Sequence, residues 1–339
     1  MRRLEAKNYI IALLFLLVSQ LASGQFFDRE KWRDQRHQIV VGLGASNFLG
    51  DLGGKDDIGT NDFRDLELGE TRFAAFLGYK YTLYKKLYLR TDLTWGQVSG
   101  NDNLTQEIFR NNRNLSFRSN LFEAAAMLEF EIPIRRRPGH IYNIKGVKGW
   151  RNQGVSLFVF GGIGGVYTNP KTYFQGQWIP LRPLRTEGQG LPGGPDEYSR
   201  LALAIPVGLA LSQRISHQVS IAIEASFRWT NTDYIDDVST VYYDPSDIEL
   251  YLGGSQGQVA SYLSNPARGL ENDGLWQRVT APGQQRGDET DDDAYMFLMF
   301  RTNILLEDQY KYRKGKFSAR NGKYRSVQRR GKKTKRIVF

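Results

Sequence analysis

The chain contains no cysteine. That excludes a disulfide framework, thiolate metal ligands and a lipid anchor on a cysteine at a cleavage site. Histidine is scarce too, at His37, His140 and His217 only, which leaves little for the base of a nucleophilic or metal-hydrolase centre. Neither a Walker loop nor an HExxH helix occurs. With so little motif support for catalysis, the chain is read as a non-enzyme. Long apolar runs are also missing. Beyond the first residues no stretch approaches the about 20 apolar residues that a membrane helix needs, and the mean hydropathy is negative. This does not exclude the membrane, because barrel strands alternate apolar and polar residues and so look hydrophilic on average.

What is present begins with MRRLEAKNYIIALLFLLVSQLASGQ. Arg2, Arg3 and Lys7 precede an apolar run from Tyr9 to Val18 and the small residues Ala22-Ser23-Gly24. That order is a secretory signal, with cleavage expected before Gln25. The expected organisation is a signal over 1–24, a barrel with its loops over 25–306 and a basic tail over 307–339.

The middle of the chain alternates with a period of two. In KLYLRTDLTWGQV, Leu87, Leu89, Leu93 and Trp95 share one face, and Arg90, Asp92 and Thr94 the other. HQVSIAIEASFRWT sets Val219, Ile221, Ile223, Ala225, Phe227 and Trp229 against Ser220, Glu224, Ser226 and Arg228. FEAAAMLEF sets Phe122, Ala124, Ala126, Leu128 and Phe130 against Glu123, Met127 and Glu129. Each is a strand with one apolar face. IVVGLGASNF, TRFAAFLGYKYTLY, VSLFVFGGIGGVY, LALAIPVGLALS and AYMFLMFRTNILL bring the expected number to eight. The GGIGG run suits close strand packing, and Pro206 predicts a bulge or kink. A further short hairpin at Ser239–Tyr243 would raise the number to ten.

Arg90, Asp92, Glu123, Glu129, Glu224, Arg228 and Arg301 fall on the non-apolar faces. A sandwich would turn them to water; an eight-stranded membrane barrel turns its apolar face to lipid and fills its lumen with paired charges. The fold class is therefore all-β, a transmembrane antiparallel up-and-down β-barrel. Its links alternate in length. Those near 49–68, 99–115, 168–198 and 231–292 are long, and Tyr84–Lys86 and Arg214–His217 are tight, the pattern of long outer loops and short periplasmic turns. Pro133–Gln153 is a longer link on the periplasmic side. Tyr79, Tyr81, Tyr84, Tyr88, Trp95, Trp229 and Tyr295 suit aromatic girdles.

The formal charge of +10 is unevenly spread. Residues 309–339 hold thirteen Lys and Arg and no acid, so the rest of the chain carries −3. These are Lys311, Arg313, Lys314, Lys316, Arg320, Lys323, Arg325, Arg329, Arg330, Lys332, Lys333, Lys335 and Arg336. A block of like charge is commonly an interaction tail. After an even-numbered strand it lies in the periplasm, away from nucleic acid. Its expected partners are an acidic periplasmic protein, peptidoglycan or anionic headgroups. Arg135, Arg136 and Arg137 face the same compartment and form a second basic candidate surface.

One stretch stands apart, TDYIDDVSTVYYDP. Asp233, Asp236, Asp237 and Asp244 offer the oxygen ligands of a structural Ca²⁺, though without EF-hand spacing. The plainer reading makes them turn caps that accept from backbone amides over the barrel rim. No other cofactor is expected.

DYIDDVSTVYYDP, RGDETDDDAYMF and GLGASNFLGDLGG together resemble the outer-membrane β-barrel family of Bacteroidota that includes PorG of the type IX secretion system. The resemblance runs from about Gln38 to Leu306. It implies an outer-membrane barrel, in contact with membrane lipid, associated with periplasmic ring proteins of the PorK and PorN type. It implies no catalytic residues. The basic tail departs from the family pattern. A surface-binding barrel and a narrow porin remain the alternatives.

Overall fold

In the computed structural model, residues 36–52, 68–104, 107–135, 154–216, 218–267 and 279–306 are described. The signal segment, the basic tail, Arg136, Arg137, His140 and His217 lie outside them.

Eight long strands form the wall. They are β1 (His37–Leu49), β2 (Arg72–Tyr84), β3 (Leu87–Asn101), β4 (Ser116–Arg135), β5 (Val155–Tyr167), β8 (Leu201–Arg214), β9 (Val219–Thr230) and β10 (Ala294–Leu305). Each pairs antiparallel with the next, and β10 pairs with β1 from Gln38↔Leu305 to Leu49↔Ala294, which closes the ring. Closure leaves no wall strand with an unpaired edge, a condition for crossing lipid with strands. All eight expected strands are present, and β4 runs well past both ends of the segment that the alternation marks.

A small hairpin, β6 (Lys171–Phe174) and β7 (Gln177–Pro180), joins β4 through the single pair Arg118↔Lys171. Its turn residues Gln175 and Gly176 both have positive φ, +47° and +84°, the conformation that two-residue hairpin turns require. The extra hairpin thus lies after β5 and not at Ser239–Tyr243. In that later link the only isolated pairing among the described residues is Val241↔Gln285. Helices α2 (Pro245–Leu252) and α3 (Gly254–Ser264) follow it instead. A short helix α1 (Ile108–Arg113) lies between β3 and β4.

The expected bulge at Pro206 is also absent. The β5–β8 register continues unshifted from Gly161↔Val207 to Gly164↔Ala204, and Pro206 pairs opposite Arg228 of β9. Its ring faces inward, where the missing N–H costs only a local gap in the ladder. The GGIGG run does bring strands together closely. A Cβ on Gly162 would stand 2.1 Å from the Ala126 carbonyl oxygen, and one on Gly164 2.8 Å from that of Ala124.

The outer face of the wall is apolar. Leu93, Leu203, Ile163, Ile223, Leu298 and Phe300 are among its exposed side chains. The inner face is layered. A ring of charge occupies the middle, with Tyr88, Met127, Phe158 and Phe160 packed beside it. Toward the end that carries the long links, inward residues become apolar: Phe48, Val98, Phe117, Leu121, Tyr295 and Phe297 pack with Ile235, Val238 and Ile248 of the β9–β10 link. That end is closed by a folded cap.

Candidate functional site in the lumen and the cap

The seven charged residues expected on inner faces are all buried, and they meet. Arg90 grips Glu224 with two hydrogen bonds, at 2.8 and 2.9 Å, and its Nε stands 2.9 Å from Asp92. Arg301 reaches Glu129 at 2.7 Å and Glu224 at 2.6 Å through one nitrogen. Arg90 also pairs with Glu129, as does Lys80. A step nearer the cap, Arg228 Nε lies 3.2 Å from Glu123, which also accepts from the Tyr295 hydroxyl at 2.6 Å.

Lys80 is the member that the sequence reading missed. It lies in GYKYTLY, whose inner face carries glycine and threonine, so one lysine there did not stand out. With it the described residues of this layer set four cations, Lys80, Arg90, Arg228 and Arg301, against four carboxylates, Asp92, Glu123, Glu129 and Glu224. Aromatic rings close the gaps: the Arg90 guanidinium lies 4.7 Å from the Phe160 centroid, Arg228 4.3 Å from Phe297, and the Lys80 ammonium 4.0 Å from Phe158. Matched charge, with every carboxylate set against a cation, is what permits ions in so dry a place.

In the cap, the TDYIDDVSTVYYDP stretch is structural core. Ile235, Val238 and Ile248 are buried, and Tyr198 stacks on Tyr234 with centroids 4.6 Å apart and planes 4° apart. Arg286 and Glu187 form a buried ion pair at 2.7 Å. Glu187 then accepts from the amides of Ser239 and Thr240 at 2.9 and 3.1 Å, and Arg286 donates to the Asp237 carbonyl at 2.8 Å.

The four aspartates considered for Ca²⁺ do not gather round one point. Asp244 caps α2, accepting from the Ser246 amide at 2.9 Å. Asp237 has a positive φ of +72° and accepts from the hydroxyls of Thr186, at 2.6 Å, and Tyr198. Burial pushes its carboxyl up to about 6 against the pull of Arg286. Asp236 accepts from the amides of Leu52 and Val238 at 3.0 and 2.9 Å. Asp233 is buried, and neither of its carboxylate oxygens has a hydrogen-bond partner; the Ser239 hydroxyl is near enough only to offset part of the burial. Among the described residues no group of three His, Asp or Glu is placed to hold a metal ion.

For catalysis the cap offers one misleading spacing. Gly253-Gly254-Ser255-Gln256-Gly257 reads GxSxG, but a nucleophile elbow joins a strand to a helix. Here the run joins α2 to α3, and Ser255 is exposed. His37 stands at the opposite end of the barrel, against Tyr79 and Tyr81. Arg135, of the basic candidates, ends β4 at that same end.

A closed ring of eight antiparallel strands, apolar outside and charge-paired within, defines the class: a transmembrane β-barrel. Residues 12–134 match a family described as Domain of unknown function (DUF6089). No curated protein matches. Solved structures similar to the chain include Neisserial surface protein A (NspA), at 7% identity over 80% of this chain and 97% of that one, with a TM-score of 0.34. Ail, the attachment invasion locus protein of Yersinia pestis, is similar at 9% identity over 80% and 99%, with a TM-score of 0.31. At such scores the strand pairing, not the likeness, defines the fold.

Proposed function

We propose that the chain is a non-enzymatic outer-membrane barrel that anchors or positions a periplasmic secretion or gliding assembly of the type IX kind. The ring of paired side chains that fills the middle of the lumen supports this reading. A wall that is apolar outside holds the protein in lipid, while a side-chain-filled interior gives solutes no path. What remains for function are the two ends. With the cap outside a Bacteroidota-type cell, the strand ends at Arg135 and Leu305 face the periplasm. The tail from Lys311 to Arg336 and the run Arg135–Arg137 then bring cations to one side, suited to an acidic ring protein of the PorK and PorN type, to peptidoglycan or to anionic headgroups. Such contacts weaken as salt rises through physiological strength.

Crosslinking and pull-down from native envelopes tests this, comparing the full protein with a version stopped after Leu306. Ring components captured by the full protein and lost on truncation make the tail the docking element. Capture that survives truncation moves the contact to the barrel or the arginine run. No ring component in either sample overturns the reading.

One observation favours a second role. The cap is packed onto the barrel's inner apolar residues and presents Tyr173, Trp178, Tyr251 and Tyr262 exposed, as a surface-binding barrel would. Replacing the β9–β10 link without loss of function removes that alternative.

A further inference from the structure

Where the cap meets the barrel rim, three chain segments bring together four carboxyl groups, three of them buried and that of Asp51 half-buried. Asp51 follows β1, Asp233 and Asp236 follow β9, and Asp293 immediately precedes β10. Three of them tie segments together. Asp236 receives the Leu52 amide at 3.0 Å, Asp51 the Asp288 amide at 2.8 Å, and Asp293 the Ile235 amide at 2.7 Å. Asp236 and Asp293 are fully buried and Asp233 is 8% exposed. Both oxygens of Asp233 and Oδ1 of Asp293 have no partner.

Nearby cations do not balance this charge. Arg113 faces Asp51 and Asp236, but its guanidinium is held by Asp102 at 2.8 and 2.9 Å and by the Asp51 carbonyl at 2.8 Å. Arg286 is committed to Glu187 and the Asp237 carbonyl. Asp288 adds further negative charge beside Asp51. The neutralising species must then be an ion or protons. Asp51, Asp236 and Asp293 each spend an oxygen on a backbone amide, which favours protons, and the test below sets them against a cation.

We propose that Asp51, Asp233, Asp236 and Asp293 form a proton-held latch, which keeps the cap seated on the barrel in acid and loosens it as the medium turns alkaline. Burial pushes Asp51 up to about 6 against the pull of the Asp288 amide and Arg113. Burial reinforced by repulsion from neighbouring aspartates pushes Asp233 up to about 9 and lifts Asp236 and Asp293 well above the usual carboxylate range. An opened cap returns each group to water, where a carboxyl titrates near about 4. The closed cap therefore binds more protons, so acid favours closure. Between about 4 and the closed-state value, the opening constant rises by up to about tenfold per pH unit for each carboxyl still protonated.

The test is hydrogen exchange on the full-length protein reconstituted in vesicles, from pH 5 to pH 9.5, corrected for intrinsic exchange. It follows the segment Thr232–Val238, with the amides of β3 and β4 as an internal reference. Wild-type opening should rise more than tenfold from pH 6 to pH 9 while the reference does not move. Asp233→Asn, which removes a group bonded to no backbone amide, and Asp293→Asn should each flatten that rise. A flat wild-type profile overturns the latch, whether or not a variant folds. A rise unchanged in both variants overturns it as well. A rise abolished by millimolar CaCl₂ and restored by a chelator assigns the neutralising charge to a cation, and also overturns it.

Discussion

Arg301 on the last wall strand and Glu129 on the fourth meet across the lumen at 2.7 Å, though 172 residues separate them in the chain. The same Arg301 nitrogen reaches Glu224 at 2.6 Å. One guanidinium thus joins β4, β9 and β10 at the centre of the barrel, and the fold depends on keeping that charge matched.

Arg301→Met should therefore be costly. It leaves Glu129 and Glu224 short of a cation in a dry interior, a change worth about 3–5 kcal/mol. The urea midpoint of the barrel refolded in detergent should fall accordingly. A shift within error of wild type would mean that the lumen carboxylates do not need Arg301.

The filled lumen should not conduct. Purified protein in planar bilayers is expected to give no stable unit conductance. Regular ohmic steps that vanish on removal of the protein would reopen the porin reading.

Leu93, 66% exposed at the middle of β3, marks the lipid-facing wall. Leu93→Arg places a cation near the bilayer midplane, at a cost of about 2–4 kcal/mol. Folding yield into vesicles should drop, while the expressed amount stays unchanged. Equal folding of variant and wild type would place this face in water.

Asp244 acts as a helix cap. Asp244→Ala should loosen α2 by about 0.5–2 kcal/mol, read as faster exchange at Ser246 and Ile248. Added Ca²⁺ should neither rescue the variant nor protect the wild type. Rescue would restore Asp244 as an ion ligand.

Much of this architecture was legible in the sequence because strand alternation is local. In the β3 segment, Leu93 and Trp95 against Arg90, Asp92 and Thr94 declare two faces within six residues. The absence of long apolar runs then makes a barrel the economical reading. Local chemistry also misled. Pro206 suggested a bulge or local kink, yet the β5–β8 ladder only skips the pairs at Ile205 and Pro206 and resumes in the same register. Ser239–Tyr243 looked like a hairpin, yet it follows the buried stretch that forms the core of the cap. The small hairpin after β5 went unseen, although Gln175-Gly176 between Tyr173 and Trp178 is a turn signal.

The wall was legible residue by residue: eight strands, their inner and outer faces, and the presence of charge inside. The closed fold settled which charges meet, that Lys80 joins them, and that the inner face turns apolar beneath the cap. It also broke up the metal-like run of aspartates, setting Asp244 at a helix cap and Asp237 on the hydroxyls of Thr186 and Tyr198. The reason is physical. A strand's period is set by neighbouring residues, whereas closing the barrel brings side chains more than a hundred residues apart into a space without water. There each charge depends on the particular partner that the closed ring places opposite it.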